Sequence, residues 1–457
     1  MRKRRQGSSL TARTIFTGNV LFMAFAVLLL CSYPGQANTD EVKSTSHAML
    51  PEILSLENVL SFAEINGSPE RDIAEAEILV SNSELEKIQS RYGFRVNAEL
   101  APTYVYSIDP DKSDDINDAY YFLGTSKILS DFGRTAQLTE AAEAELRAEA
   151  IEFVSFRFRR RLKLIEAYLN VLLADQYYAV EDEKMTIKYL KYDKARERHD
   201  LGEVSDVDLI GLESAYREDL ISRMRSANRQ SEARARLAAL LNRPDEFPAE
   251  LQPVNIDIED IEISEYQDLL SSALSKNPGL SAQNERVKAA EAKLQHSRMS
   301  NRPVLDSSVE LGNYERRYGE GGKWRLGVNL VIPIREGGLF KADIAKQHAE
   351  LKKEQAKYQL MKNALRKTVL ELVQEIDVLK VAIQSANTRL EFRDQYLDRS
   401  RSAYELEIQT DLGDAAANMT EAQWHADKVR YDLMLTLGSI DALLGIDPAK
   451  RFLESVE

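Results

Sequence analysis

Two aspartates in the last part of the chain are the residues whose types and spacing best suit a binding site. Asp411 and Asp414 stand three residues apart, so on a helix their carboxylates share one face. Neighbouring carboxylates concentrate negative potential and attract cations. Asp206 and Asp208 are weaker candidates, because residues two apart point to different sides of a helix. The alternative for all four is capping, since acids at a helix N-terminus interact favourably with the helix dipole.

Patterns that carry catalysis or hold a metal do not occur in the sequence. The five histidines are scattered, and none pairs with another at metal-ligand spacing on a helix. A glycine-rich phosphate loop and a nucleophile elbow are both missing. We therefore predict a protein that is not an enzyme, with no catalytic residue, no cofactor and no metal site. The acid-rich helices are interpreted mostly as solvated faces.

Residues 1–37 are interpreted as a secretory signal peptide. A basic start without acids precedes the apolar stretch Leu21–Cys31, which is too short to span a bilayer comfortably. Lipidation of Cys31 is not expected, because Leu30 stands where a lipid-attachment motif needs a small residue. Cys31 is the only cysteine, so its removal with the signal leaves no disulfide or thiolate site.

The charge and hydropathy of the remaining chain restrict its partners. The whole sequence carries a net charge of −14, and removal of residues 1–37 leaves 55 basic against 74 acidic residues, or −19. Such a surface disfavours nucleic acid. Beyond the signal, no apolar run approaches the roughly 20 residues of a membrane-spanning helix. The mature chain is therefore soluble or inserts through β-strands.

The sequence is organised as two similar halves. Asp131-Phe132-Gly133-Arg134 opens one long helical pattern and Arg335-Glu336-Gly337-Gly338 opens another, with Gly133 and Gly338 205 residues apart. We predict a first repeat at 56–250 and a second at 264–448. A linker at 38–55, a linker at 251–263 and a tail at 449–457 complete the chain. A duplication this long is not a short solenoid repeat.

Each half contains a predicted hairpin, at about 94–130 and about 304–335. In the second, Leu326, Val328 and Leu330 alternate with polar or small residues such as Asn329. Strands of roughly 10–13 residues match those that cross a bilayer at a tilt, with the apolar face toward lipid and the polar face toward the lumen. Four strands leave open edges, so a barrel would need several chains. The alternative is a soluble hairpin with one buried face.

A helix precedes each hairpin, at about 56–91 and about 264–302, and a long helix follows it. From Arg134 to about His199 no helix breaker occurs, and apolar residues recur three and four apart. About 66 helical residues span roughly 100 Å. Return helices follow turns near residues 200–203 and 407–412. A coiled-coil rod would explain these helices, but it would not explain the hairpins.

Several short motifs occur in the order of a known family. The strand at 328–338 ends in Pro333 and the pair Gly337-Gly338, and residues 202–208 read Gly-x-x-Ser-x-x-Asp at a helix turn. Through these motifs the chain resembles the TolC-like outer-membrane efflux protein family over nearly all of its mature length. It departs from the family where Glu407 replaces the second turn glycine, where Gly413 replaces an acid, and where 126–131 lacks a proline.

The resemblance implies a fold that is mainly α with a membrane β part. A homotrimer would share a 12-stranded β-barrel, with four strands per chain, above a long α-helical coiled-coil barrel. The implied protein is a passive trans-periplasmic export duct of a tripartite efflux or type I secretion system, in the outer membrane of a Gram-negative cell. Its partners would be outer-membrane lipid, a periplasmic adapter (membrane fusion) protein and an inner-membrane transporter. The alternative is a periplasmic coiled-coil adapter or scaffold protein that does not insert in the membrane.

The resemblance also implies three groups of site residues. In a trimer the aspartates would recur around the axis, and Asp411 with Asp414 would form a ring of up to six carboxylates. The expected pore-aperture residues are Asp411, Asp414, Asp206 and Asp208. The expected adapter-docking residues of the helix turns are Gly202, Glu203, Ser205, Glu407, Gln409 and Thr410. The expected barrel-to-helix turn residues are Gly133, Pro333, Gly337 and Gly338.

Overall fold

The structure, a computed structural model, describes residues 51–65, 67–101, 104–105, 116–117, 120–254, 265–314, 324–406 and 411–454. Its helices are α1 Leu56–Ile65, α2 Pro69–Gln89, α3 Arg134–Asp200, α4 Asp206–Leu240, α5 Tyr266–Lys276, α6 Pro278–Arg298, α7 Leu339–Glu405, α8 Leu412–Leu443 and α9 Pro448–Glu454. Its strands are β1 Ile53–Leu54, β2 Arg95–Ala101, β3 Tyr104–Val105, β4 Ile116–Asn117, β5 Tyr120–Ser130, β6 Glu250–Leu251, β7 Val304–Tyr314 and β8 Trp324–Val331. The expected signal peptide and most of both hairpin tips lie outside the described residues.

The helices of the two halves correspond in length. The long helices α3 and α7 each have 67 residues, which is about 100 Å of helix. The helices before the hairpins, α2 and α6, each have 21 residues, and the return helices α4 and α8 have 35 and 32. No helix in the described part of the chain combines the length and apolarity needed to cross a lipid bilayer.

The prediction of a single helix before each hairpin is wrong, because two helices stand there: α1 and α2 before the first hairpin, and α5 and α6 before the second. Ser68 and Asn277 interrupt them in extended conformations, and each caps the helix that follows through its side chain. A proline follows each cap and occupies the first helical position, where its missing N–H is not needed. The residue before a proline is also disfavoured in helical geometry. The expected C-terminal tail likewise contains α9, whose Phe452 is fully buried.

One antiparallel sheet joins the two halves in the strand order β2-β5-β7-β8. Directly opposed residues lie on the same face of a sheet, and one row across it is Val96, Thr125, Val309 and Leu326. The adjacent row, on the other face, is Asn97, Gly124, Glu310 and Arg325. The predicted alternation of an apolar and a polar face is therefore confirmed.

Helix α3 of the first repeat packs against α4 of its own repeat and against α6 and α8 of the second. Three ion pairs connect it to α6, and the α3 residue of the pair is in turn an acid, a base and an acid. The pairs are Glu145 with Lys293, Arg147 with Glu285, and Glu149 with Arg286. An apolar core surrounds the middle of α3, where Tyr168 is fully buried. Tyr168 Oη lies 2.6 Å from the main-chain oxygen of Gln252 and 3.0 Å from that of Leu54. It thereby fixes the short parallel strands β1 and β6 to the helices.

Candidate functional site

The turn between α3 and α4 is closed by its own backbone. Gly202 has a φ of 79°, a left-handed conformation that glycine adopts without a steric cost. The main-chain nitrogen of Glu203 donates to the oxygen of Arg198 at 2.9 Å, which satisfies a carbonyl at the helix end. Ser205 then caps α4 by accepting a hydrogen bond from the main-chain nitrogen of Asp208 at 3.1 Å. Gly202 and Ser205 therefore both serve the geometry of the turn.

This turn exposes charged and apolar side chains together. His199 Nε2 lies 2.6 Å from Asp206 Oδ1, and Ser205 Oγ donates to Asp208 Oδ2 at 2.6 Å. Beside them Leu201 is 75% exposed and Val207 80% exposed. Exposed apolar groups rimmed by polar ones are typical of surfaces that bind a partner.

The turn between α7 and α8 is described only on its two sides, and Glu407, Gln409 and Thr410 lie outside the described residues. Asp411 directly precedes α8, and the Tyr396 hydroxyl donates to its Oδ2 at 2.7 Å. That hydrogen bond raises the pKa of the Tyr396 phenol. The other oxygen of Asp411, Oδ1, is buried and has no hydrogen-bond partner within the described residues.

Asp414 engages a different helix from Asp411. Its Oδ2 lies 2.6 Å from Lys191 Nζ on α3. Two further contacts between polar side chains join α3 and α8, and successive contacts lie about seven residues, or two helical turns, apart. The three contacts, in order along α3, are Gln176 with Asp427, Lys184 with Glu421, and Lys191 with Asp414. We call this set the inter-repeat ladder.

The structure therefore brings Asp411 and Asp414 to one helix end, while Asp206 and Asp208 belong to the other turn. Within one chain the carboxylate of Asp411 contacts α7 and that of Asp414 contacts α3. No set of three or more histidine, cysteine, aspartate or glutamate side chains in the described ranges is placed to hold a metal ion. The inward-facing ring of carboxylates remains a prediction.

The turns from sheet to helix have the same backbone in both repeats. Phe132 and Gly133 have φ values of 54° and 87°, and Gly337 and Gly338 have 58° and 97°. Two successive left-handed residues turn the chain sharply from a strand into a helix. Three of these four residues are glycines, as this geometry favours. Pro333 lies in the loop between β8 and the second turn.

A buried aspartate stabilises the first of these turns by accepting two hydrogen bonds. Asp131 Oδ1 accepts a hydrogen bond from the Tyr92 hydroxyl at 2.5 Å, and Oδ2 accepts one from the main-chain nitrogen of Thr135 at 2.7 Å. Burial raises the pKa of Asp131, but the hydrogen bonds from Thr135 and Tyr92 outweigh that effect and hold the pKa below its usual value. The acid therefore stays ionised at the start of α3.

Sequence reasoning missed three partners at these sites: Tyr92, Lys191 and Tyr396. Lys191 is 223 residues from Asp414, and Tyr92 is 39 residues from Asp131. Local periodicity does not show which residue distant in sequence contacts Asp131 or Asp414. For Lys191 a signal could have come from the polar residues of α3 that recur at seven-residue intervals.

Comparisons with known proteins agree with this architecture. Residues 269–445 match the model of the outer membrane efflux protein family. Protein CyaE of Bordetella pertussis is 24% identical over 237 residues, which are 50% of this chain and 49% of CyaE. The pyoverdine export outer membrane protein OpmQ of Pseudomonas putida is 27% identical over 139 residues, which are 30% of this chain and 28% of OpmQ. The chain thus spans about half or less of each of these relatives.

Solved structures share the fold over a larger part of the chain. The Campylobacter jejuni CmeC outer membrane channel superposes with a TM-score of 0.72 at 14% identity, over 88% of this chain and 89% of CmeC. The family match covers the second repeat, and the shared fold covers most of both repeats. The predicted resemblance to the TolC-like outer-membrane efflux protein family is therefore confirmed: most of the second repeat matches the family model, and both repeats share the fold of the CmeC channel.

Proposed function

We propose that this chain is the outer-membrane channel of a tripartite efflux or type I secretion system, and acts as a passive export duct across the periplasm. The observation that carries the proposal is the apolar face of the sheet, which is exposed in the single chain. Val96, Leu326 and Val328 are each 66–67% exposed on it. Such an apolar face suits contact with lipid, and the polar face would then line a water-filled lumen.

The same sheet supports a homotrimer. Among the described residues, β2 and β8 are the edge strands, and each pairs with a strand on one side only. Three copies would supply twelve strands, enough to close a barrel and remove the open edges. The helices of the three chains would then continue the duct into the periplasm for roughly 100 Å.

The exposed turn between α3 and α4 supports docking of a periplasmic adapter. Leu201, Val207 and Ile210 are 75%, 80% and 65% exposed beside the charged groups of that turn. An adapter that covers these side chains would link the duct to an inner-membrane transporter. A cysteine in place of Glu203 should crosslink to the adapter under conditions that support export, and a lack of crosslinking would count against this contact.

Conduction through such a duct requires no covalent chemistry, so the proposed protein is not an enzyme and needs no cofactor. Asp411 and Asp414 lie at the end of the second helical hairpin, where a trimer would repeat them about its axis. Asp411 is the stronger aperture residue because its partner in the described part of the chain, the Tyr396 hydroxyl, is uncharged, whereas Lys191 neutralises Asp414.

The competing function is that of a periplasmic scaffold which stays out of the membrane. Fractionation of cells that express the full chain separates the two. The duct predicts an outer-membrane protein that resists carbonate extraction and runs as a heat-modifiable trimer. Release into the soluble periplasmic fraction as a monomer would refute the duct.

A further inference from the structure

A cavity of about 390 Å³ lies beside the middle of α3, where α1 and the start of α2 approach it. Four arginines line it, Arg71, Arg157, Arg160 and Arg161, and Glu64 is the only acidic residue among its lining side chains. Ligand sites in proteins usually have volumes of roughly 300–1,000 Å³, so this cavity is large enough for a small molecule.

Arg160 is the buried member of this group, with 8% of its surface exposed. Its Nη2 donates to the main-chain oxygen of Leu240 at 3.4 Å, while Nη1 is buried without a hydrogen-bond partner within the described residues. Burial lowers the pKa of Arg160, although Glu70 and Asp72 favour its charged form through space. A buried charged donor without an acceptor is unfavourable, and such groups normally have a partner.

Three of the nearby acids, Glu64, Glu75 and Asp447, are engaged by the other arginines. Arg161 pairs with both Glu64 and Asp447. Arg71 pairs with Glu75 at 2.6 Å and also donates to the main-chain oxygen of Glu64. Arg157 is half exposed and reaches only Glu64, at 3.7 Å. Within the described residues, no ion pair joins Arg160 to a carboxylate, and Arg157 shares its partner Glu64 with Arg161.

The rest of the lining is apolar. The rings of Phe153 and Phe156 stack with their centroids 6.2 Å apart, and Leu60 and Leu164 also line the cavity. Arginine side chains bind carboxylates and phosphates through paired N–H donors. We propose that this cavity binds a small organic oxyanion, a carboxylate or phosphate monoester on an apolar body, with its charged end held by Arg157 and Arg160.

The position of the cavity indicates the source of such a ligand. Arg157 lies 23 residues after the start of α3, which corresponds to about 35 Å along the helix from the sheet. With the sheet in the outer membrane, as proposed above, lipid headgroups are out of reach. The ligand is therefore a solute of the periplasm.

Binding of phenyl phosphate to the purified full chain in lipid nanodiscs tests the proposal by calorimetry. We expect one saturable site per chain, competition by benzoate, and at least tenfold weaker binding of benzyl alcohol and of inorganic phosphate. Arg157→Gln should weaken phenyl phosphate binding at least tenfold.

Arg159→Gln is the matched control, because Arg159 is exposed, pairs with Glu152 and does not line the cavity. It should bind phenyl phosphate as the wild type does. Arg160→Met adds a second readout: phenyl phosphate should raise the unfolding temperature of the wild type and of Arg159→Gln, but not that of Arg160→Met. The proposal is overturned by the absence of saturable binding to the wild type, by equal losses in Arg157→Gln and Arg159→Gln, or by equal affinity for benzyl alcohol.

Discussion

Lys191 Nζ lies 2.6 Å from Asp414 Oδ2, and this ion pair joins the long helix of the first repeat to the return helix of the second. It is the rung of the inter-repeat ladder nearest the start of α8. Nine residues, or about 14 Å of helix, separate Lys191 from the end of α3. The pair thus connects the first turn of α8, three residues after Asp411, to α3.

The first prediction concerns the strength of this contact. Both side chains are 43% exposed, so the pair contributes about 0–1 kcal/mol. Lys191→Met should lower the free energy of unfolding by no more than about 1 kcal/mol, and high salt should reduce the difference from the wild type. Lys194→Met, three residues along the same helix, is the control. A loss well above 1 kcal/mol would mean that the pair is buried in the assembled protein.

The second prediction separates the two aspartates of the expected aperture. Asp411→Asn should reduce cation selectivity and block by trivalent cations in planar bilayers, because it removes a negative charge that the uncharged Tyr396 hydroxyl leaves in place. Asp414→Asn should have a smaller effect because Lys191 already neutralises Asp414. Replacement of both by alanine should have the largest effect. If all three variants keep wild-type selectivity and block, these residues act only as caps and helix contacts.

The third prediction concerns pH and Asp131. Asparagine offers one acceptor oxygen where Asp131 uses two, for the Tyr92 hydroxyl and the Thr135 nitrogen, and it carries no charge, so Asp131→Asn should cost about 1–3 kcal/mol at pH 7. The pKa of Asp131 is lowered by folding, so its stabilising contribution is present above the unfolded pKa of about 3.9 and is lost as the pH falls through the folded value.

The difference in unfolding free energy between wild type and Asp131→Asn should therefore stay constant from pH 7 down to about 5 and shrink below about pH 4. Chemical denaturation at a series of pH values measures it. Glu336→Gln is the control from the second repeat, where the acid at the corresponding position is exposed. A difference that grows toward low pH would contradict the assigned direction of the pKa shift.

The fourth prediction uses the left-handed turns. Gly338 has a φ of 97°, and a Cβ added there would meet no atom within 4 Å. Gly338→Ala should therefore lower the free energy of unfolding by about 1–2 kcal/mol, through backbone strain alone. Gly211→Ala also places its methyl group in open space, but within helix α4, where it should stabilise by up to about 1 kcal/mol. Thermal unfolding of the two variants should shift in opposite directions. Shifts of the same sign would refute the role of φ.

The fifth prediction tests the two faces of the sheet. Leu326 opposes Val309 on the apolar face, and Asn329 opposes Asp306 on the polar face. Leu326→Arg should cost about 2–4 kcal/mol in the membrane and impair trimer assembly. Asn329→Arg should be tolerated, since it places a cation beside Asp306 and toward the lumen. Equal assembly of the two variants in the outer membrane would mean that the face assignment is wrong.

Much of the fold could be predicted because its determinants are local. The helix predicted from Arg134 to about His199 is α3, which ends at Asp200, and the alternation around Leu326 and Asn329 predicted both faces of the sheet. The proline breaks before α2 and α6 were missed because the flanking helical periodicity continues across them. In each case a cap residue and Pro at the first helical position restart the helix rather than end it.

The candidate site could be predicted only in part. The conformation of Gly202 and the cap from Ser205 follow from residue type, and the structure shows both. The pairing of Asp414 with Lys191 depends on how two repeats pack, and nothing near either residue in the sequence indicates it. The same holds for the arginine cavity, where Arg71 is distant in sequence from the other three arginines and tertiary packing buries Arg160.

Single-channel recording on the purified full-length protein in planar bilayers tests most directly whether this chain forms a conducting duct in a membrane. We expect discrete, uniform conductance steps from trimers, with cation selectivity that depends on Asp411. A protein that purifies without lipid or detergent and gives no conductance at any concentration would refute the duct and favour the periplasmic scaffold.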